Sequence, residues 1–140
     1  KQIFAETNIF PVAAAGNFGT LNTNTYAPAS WAEVLAVSGN RADQLGNATN
    51  VDCVKEEEAS PSNDCILWHS SNFGQVTAPA AWYATIRDEY ISGTSFATPV
   101  VSVLVALVES YDCDVSSLLN PSTKNNNVYF ISAIFDICIP

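Results

Sequence analysis

The stretch GTSFATPVVSVLVALV, at residues 93–108, decides the fold of this 140-residue chain. It is much longer than the roughly 5–6 residues of a typical strand, so it predicts a helix despite its valines. Pro99 fits near the first turn, where a missing backbone N–H costs least. The helix is apolar on all sides, and we therefore expect it to be buried.

The start of this helix carries two hydroxyl groups, those of Thr94 and Ser95. Unpaired N–H groups and the positive end of the helix dipole lie there, so an oxyanion forming beside Ser95 would be stabilised. Asn17, which follows an apolar run and Gly16, could offer its side-chain amide to the same oxyanion. Taken singly, each residue has a commoner explanation, as a helix cap or as a turn residue.

Short apolar runs outside the helix predict the strands of a sheet. We expect strands within residues 9–15, 34–37, 66–68, 75–78 and 83–86, and one or two more within residues 125–140. The polar residues 20–25 and 41–64 are expected to be loops. Short apolar strands before a buried helix predict an α/β fold with a mostly parallel sheet.

The composition excludes several classes of protein. Five Lys or Arg against fourteen Asp or Glu give a net charge of −9, which argues against binding to nucleic acid or anionic membranes. The apolar content of 48% is too high, and the charged content of 14% too low, for a disordered tail. The longest apolar run, around residues 100–108, is far shorter than the ~18–20 residues of a membrane span.

Two features favour secretion. The cysteine count is even, at four, and Asn47 begins a glycosylation sequon. The first residues do not resemble a signal peptide and the chain has no Met, so we expect a mature product or a fragment. Cys53 and Cys65 flank one acidic loop, and their pairing is favoured, which leaves Cys113 with Cys138. Four cysteines allow three connectivities, and all three stay open.

Four motifs occur together in a particular order along the chain. They are AAGN at residues 14–17, YAPAS at 26–30 followed by VLAV at 34–37, SNFGQVTAP at 71–79, and GTSFATP at 93–99. This set resembles the C-terminal half of the catalytic domain of subtilisin-like serine proteases, the subtilase family, over roughly residues 9–108. The resemblance implies a partial subtilisin-like α/β fold for residues 1–140, with a buried helix that bears the nucleophile.

The resemblance also implies roles for particular residues. Ser95 would be the nucleophile of a peptide-hydrolysing enzyme, and its own N–H together with the Asn17 side chain would form the oxyanion hole. The pocket for the residue before the scissile bond would be lined by Ala14, Ala15, Gly16, Pro28 and Ala29. The substrate would be a protein or peptide, and no cofactor is implied. Calcium is common in subtilases, but no ligand spacing here identifies a calcium site.

The resemblance leaves the catalytic base unaccounted for. In subtilases the catalytic Asp and His precede the Ser along the chain, but neither segment is found before residue 9. His69 is the only histidine, and an ordinary polar role at a strand edge is favoured for it over catalysis. With no CxxC pair beside it, a zinc site is not indicated. We therefore expect the chain to be inactive alone and to need a missing N-terminal half, or a partner chain, carrying Asp and His. The alternative is a non-catalytic pseudoenzyme or binding module.

Three positions depart from the family pattern. Val100 replaces the usual His after the motif's Pro, Val103 replaces a small Gly, and Ala80 replaces the Gly of A-P-G. Each adds volume where the family has little room, so we expect the local packing to differ.

Overall fold

A six-stranded sheet with one long helix against it forms the centre of the protein. The computed structural model describes residues 9–19, 26–41, 54–55, 66–80, 83–84, 89–115 and 129–130. Their elements are β1 (Val12–Ala14), β2 (Leu35–Asn40), β3 (Val54–Lys55), β4 (Ile66–Leu67), β5 (Val76–Pro79), β6 (Tyr83–Ala84), β7 (Tyr90–Ile91), α1 (Thr94–Glu109) and β8 (Tyr129–Phe130).

The sheet is mostly parallel, as the sequence predicts. Its order is β3-β4-β2-β5-β8, and β1 also pairs with β2. Strand β2 runs parallel to β1 and β5, with Val37 opposite Ala14 on one side and Val76 on the other. The pairs β3–β4 and β5–β8 are parallel too, and β4 runs antiparallel to β2. The α/β class is therefore confirmed.

The strands differ in detail from the sequence prediction. Strand β1 is shorter than the apolar run that contains it, and β2 extends beyond its run to Asn40. Strand β3 lies inside the polar residues 41–64, so the prediction of loop is wrong at those two residues. Its pairing with β4 depends on partners distant along the chain, which a local apolar pattern does not record.

The core lies between β2, β5 and one side of α1. Its buried side chains are Leu35, Val37, Val76, Ala78, Ala80, Ala97, Val101, Val105, Val108 and Val115. The helical members recur every three or four residues, which places them on one face of α1. The sheet therefore covers a single side of the helix.

The opposite face of α1 is exposed, which corrects the expectation of burial on all sides. Val103 is 68% exposed and Leu107 is 43% exposed, and Val100 lies on the same side. The cause is that the sheet packs against the other face. Val100 and Val103, two of the departures from the family pattern, therefore add their volume towards solvent and not into the core.

A buried polar side chain fixes the approach of β5 to β2. Oε1 of Gln75 accepts a hydrogen bond from the N–H of Ala36 at 2.7 Å, and the N–H of Gln75 donates to the carbonyl of Ala36 at 2.9 Å. A Cβ on Gly74 would lie 2.3 Å from the same carbonyl oxygen, so only glycine fits there. The backbone N–H of Gly74 donates to Oγ of Ser38.

The third departure, Ala80, is matched by a glycine on the neighbouring strand. A Cβ on Gly39 would lie 2.2 Å from Cβ of Ala80, so the methyl group of Ala80 fills the space above Gly39. The N–H of Ala80 donates to the carbonyl of Asn40, the residue after Gly39, at 2.9 Å. This hydrogen bond keeps Ala80 beside the end of β2. The structure thus accommodates the added methyl group of Ala80 beside Gly39.

Two further sequence predictions concern cysteines and membranes. Cys113 is disulfide-bonded, but Cys53, Cys65 and Cys138 lie outside the described residues, as does the sequon residue Asn47. The pairing therefore stays a prediction. In the part of the chain that the structure describes, no helix has the length and hydrophobicity needed to cross a bilayer.

Candidate active site

Ser95 lies in the first turn of α1, with its side chain exposed to solvent. The helix begins after Gly93, which offers no side-chain cap. The N–H of Gly93 instead donates to the carbonyl of Ala80 at 2.6 Å, which ties the start of the helix to the end of β5. This hydrogen bond positions the start of α1, and with it Ser95, beside the sheet.

The buried side chain of Thr94 connects Asn17 to this helix terminus. Oδ1 of Asn17 accepts hydrogen bonds from the backbone N–H of Thr94 at 2.9 Å and from its hydroxyl at 3.0 Å. The same hydroxyl accepts a bond from the N–H of Gly16 at 3.2 Å. Asn17 thus satisfies one of the N–H groups that an α-helix leaves unpaired at its start.

Because the carbonyl end of the Asn17 side chain is occupied in this way, its amide end is directed away from Thr94. A Cβ on Gly93 would lie 3.3 Å from Nδ2 of Asn17, so the amide passes close to the backbone of Gly93. Both hydrogens of Nδ2 are donors. The amide therefore lies next to the residue that precedes Thr94 and Ser95.

Asn72 holds the segment that carries Asn17. Its Nδ2 donates to the carbonyl of Ala15 at 2.9 Å, and its Oδ1 accepts from the N–H of Phe18 at 3.0 Å. Gly16 lies between them with a φ of 106°, a left-handed conformation that favours glycine. A Cβ there would also lie 2.7 Å from Nδ2 of Asn72. The AAGN motif therefore needs glycine for both conformation and space.

An open groove runs alongside Ser95. It is lined by Ala14, Ser95, Thr98, Pro99, Ser102 and Val103. The structure thus brings Ala14, a predicted pocket residue, to the same groove as Ser95. Hydrolysis of an acyl group by a serine needs a nucleophilic hydroxyl beside two hydrogen-bond donors for the oxyanion. Ser95 could supply the hydroxyl. Its own backbone N–H and the Asn17 amide could supply the two donors.

The other predicted pocket residues occupy different environments. Ala15 and Ala29 are buried, and the N–H of Ala15 donates to the carbonyl of Val37 at 2.9 Å. Pro28 is exposed and follows a cis peptide bond. The binding roles predicted for these residues and for Gly16 stay predictions.

His69 lies in the turn after β4 and is exposed. Its ring is edge-on to Trp68, with ring centroids 5.4 Å apart. Within the described ranges no hydrogen bond joins Ser95 to His69 or to a carboxylate. The same ranges contain no cluster of three or more His, Cys, Asp or Glu that could hold a metal ion.

Sequence reasoning did not assign three contributors to this site. The sequence predicts no positioning role for Thr94 or Asn72, yet both residues position Asn17 or the segment that carries it. Phe18 stacks on Tyr26, with ring centroids 4.7 Å apart and planes 15° apart. For Thr94, the sequence signal was its position next to Ser95. No local sequence pattern indicates the contacts of Asn72 or the stacking of Phe18 on Tyr26, because these contacts join segments that are distant along the chain.

Comparison with known proteins identifies the family. The model of the Subtilase family matches residues 2–125. No curated protein matches the chain. The solved structure described as the Prenylagaramide maturation protease PagA is similar, with a TM-score of 0.57 and 23% identity. The match covers 99% of this chain and 54% of that one, so this chain spans about half the length of that protein. With the family model matching most of its residues, the chain belongs to the Subtilase family.

Proposed function

We propose that this chain is the C-terminal, nucleophile-bearing part of a subtilisin-like serine endopeptidase. The observation that carries the proposal is the anchoring of Asn17 on Thr94, which places a side-chain amide at the start of the helix that bears Ser95. Membership in the Subtilase family supports a peptide-hydrolysing activity. The substrates are proteins or peptides.

The chemistry follows from the groups at the start of α1. Oγ of Ser95 attacks the scissile carbonyl carbon, and the oxygen of that carbonyl becomes an oxyanion. The amide of Asn17 and the N–H of Ser95 donate hydrogen bonds to it. The amine of the substrate leaves, and water then hydrolyses the acyl group on Ser95.

The proton of the Ser95 hydroxyl needs a base, and we propose that a segment or chain carrying Asp and His supplies it. A serine without an adjacent base is a weak nucleophile. The match to a protein about twice as long supports a further segment, or a partner chain, that brings Asp and His. The groove lined by Ala14, Thr98 and Val103 is open beside Ser95 and gives such a segment access.

The cellular context that we propose is extracellular. The disulfide of Cys113 and the sequon at Asn47 both support passage through an oxidising, glycosylating compartment. The pairings Cys53–Cys65 and Cys113–Cys138 remain our proposal for the disulfides.

The test is covalent labelling with a fluorophosphonate probe, followed by mapping of the modified residue by mass spectrometry. In the native material, with any upstream segment present, we expect rapid labelling at Ser95 that Ser95→Ala abolishes. The matched control is Ser102→Ala on the same helix and groove, which should leave labelling intact. The 140-residue chain alone should label slowly.

Two results would contradict this scheme. Efficient peptide cleavage by the purified 140-residue chain, lost in Ser95→Ala, would show that no external base is needed. Failure of Ser95 to label in the native material would favour a non-catalytic protein on a subtilase scaffold. The amino-acid sequence upstream of residue 1 separates these cases further, since a segment with both Asp and His favours the enzyme.

A further inference from the structure

The buried side chain of Asn40, the last residue of β2, lacks hydrogen-bond partners. The residue is 0% exposed, and neither Nδ2 nor Oδ1 has a partner among the described residues. Nearly all buried polar side chains in native proteins bond to protein groups or to ordered water. An amide buried with its donor and its acceptor both unpaired is costly, because it gives up the hydrogen bonds that it makes in water. Asn40 therefore requires a partner that the described part of the chain does not supply.

The side chain of Asn40 lies on the face of the sheet that is turned away from α1. Side chains alternate between the two faces along a strand. Val37 belongs to the core against α1, and a Cβ on Gly39 would lie 3.7 Å from Cγ2 of Thr94, so these alternate residues face the helix. Asn40 is on the opposite face and is separated by the sheet from Ser95 and its groove.

The surroundings of Asn40 indicate the chemistry of the missing partner. Its Cα partners in the sheet are Pro79 on β5 and Leu67 on β4, and neither of these side chains carries a polar atom. Nδ2 donates hydrogen bonds and Oδ1 accepts them. A cation would leave Nδ2 unpaired, and an anion would leave Oδ1 unpaired. Water both donates and accepts, and ordered water is the usual partner of buried polar groups that the protein leaves unpaired.

Two backbone hydrogen bonds in series join Asn40 to the start of α1. The carbonyl of Asn40 accepts the N–H of Ala80 at 2.9 Å, and the carbonyl of Ala80 accepts the N–H of Gly93 at 2.6 Å. Gly93 in turn lies against the Asn17 amide, since a Cβ on Gly93 would be 3.3 Å from Nδ2. A displacement of Asn40 is therefore passed on to the backbone just before Ser95.

From these contacts we propose that Asn40 binds buried water at Nδ2 and Oδ1, and that the hydrated amide is a positioning residue for Ser95. The inference rests on the proposed function and adds a site on the other side of the sheet. The water holds the amide, and with it the end of β2 that carries the Asn40 carbonyl. That carbonyl fixes Ala80, and Ala80 fixes Gly93. Asn40 touches neither the substrate nor the groove, so it acts on the rate of the reaction and not on substrate binding.

The direct test is a crystal structure of the native material, with any upstream segment present, at a resolution that shows ordered water. We expect a water oxygen within about 2.7–3.2 Å of Nδ2 or Oδ1 of Asn40. A structure with no ordered water within that distance of either atom would overturn the water site, whether another segment of protein takes its place or nothing does.

Two variants of nearly equal size give a second test by the sign of their difference. Asn40→Ala and Asn40→Ser open similar space, and only the serine keeps a donor and an acceptor. With water in the site, the serine variant should have the higher unfolding temperature, because its hydroxyl bonds to the water. In a dry site the serine hydroxyl would be buried and unpaired. A higher unfolding temperature for Asn40→Ala would therefore overturn the water site.

The positioning role predicts a kinetic effect in the native material. Asn40→Ala should slow fluorophosphonate labelling of Ser95 roughly tenfold, and it should lower kcat for a peptide ester while KM stays unchanged. Asn40→Ser should recover most of the rate. The matched control is Thr77→Val, since the Thr77 hydroxyl is also buried on this face and without a partner in the described ranges. Its loss should leave the labelling rate unchanged.

The outcomes separate this inference from the proposed function. Equal labelling rates for Asn40→Ala and the unsubstituted protein would remove the positioning role, and so would a raised KM with an unchanged kcat. If the unsubstituted protein does not label at Ser95, the proposed function fails and the positioning role fails with it. The crystal structure and the order of the two unfolding temperatures then still decide whether Asn40 binds water.

Discussion

Asn17 and Thr94 are joined by two hydrogen bonds that end on the same atom, Oδ1 of Asn17. One comes from the backbone N–H of Thr94 and the other from its hydroxyl. With its oxygen held at two points, the Asn17 amide has little freedom to rotate. This constraint holds Nδ2 close to the backbone of Gly93, and in the proposed mechanism that amide donates to the oxyanion.

Asn17→Ala should reduce the rate at which the native material labels or turns over substrate. The range already measured for removing the oxyanion asparagine of subtilisin is about 10²–10³-fold, and we expect a comparable loss. The measurement is the rate at which the native material hydrolyses one peptide ester, compared between the wild type and Asn17→Ala. A near-normal rate in Asn17→Ala would remove the amide from the mechanism.

Thr94→Val should act on the same site indirectly. It removes the hydroxyl that accepts from Gly16 and donates to Asn17, so a partly buried N–H loses its partner at a cost of about 1 kcal/mol. We expect that loss in chemical denaturation and a roughly tenfold slower labelling of Ser95 from the misplaced amide. Thr94→Ser keeps the hydroxyl and should restore labelling. Failure of that rescue would mean that the Thr94 methyl group, and not its hydroxyl, matters.

Two glycines should differ in what their substitution damages. Gly74→Ala forces a Cβ to within 2.3 Å of the Ala36 carbonyl oxygen, and should cost about 3 kcal/mol of stability. Gly93→Ala brings a Cβ to 3.3 Å from Nδ2 of Asn17 and into ordinary contact with the Phe96 ring at 3.8 Å, and should cost about 1 kcal/mol or less while slowing the labelling of Ser95. Denaturation and labelling measured on both variants check the contrast. Equal stability losses would contradict it.

Thr77→Val should stabilise the protein. The Thr77 hydroxyl is buried in β5 and has no hydrogen-bond partner among the described residues, so the native state bears its desolvation cost. Replacing the hydroxyl by a methyl group of similar size should raise the free energy of unfolding by about 1 kcal/mol. In the control Thr98→Val, the lost hydroxyl donates to the carbonyl of Thr94 at 2.7 Å, and no gain is expected. Destabilisation by Thr77→Val would point to a partner for that hydroxyl.

The sequence predicted the elements whose signal is local. Residues 93–108 are long and apolar, and the helix forms at Thr94–Glu109. The runs before it predicted the parallel strands β2 and β5, because such strands are apolar throughout when both faces are buried. The motifs also indicated the family, and their predicted roles for Ser95 and Asn17 stay predictions.

The features that the sequence did not predict depend on contacts between distant segments. Strand β3 lies within a polar stretch of sequence and pairs with β4. The exposure of Val103 follows from which side of α1 faces the sheet, and apolar composition alone does not indicate this. The anchoring of Asn17 on Thr94 spans 77 residues of sequence. Each of these is a property of the assembled fold.

The exposed face of α1 should make self-association of the protein depend on pH. Val103 and Leu107 present an apolar strip to water, and a net charge of −9 keeps separate molecules apart at neutral pH. Acidification protonates the carboxylates and brings the net charge to zero near pH 4.1. Repulsion then vanishes while the strip remains, so molecules should associate through their helices. Light scattering should rise towards that pH, and Val103→Lys should suppress the rise.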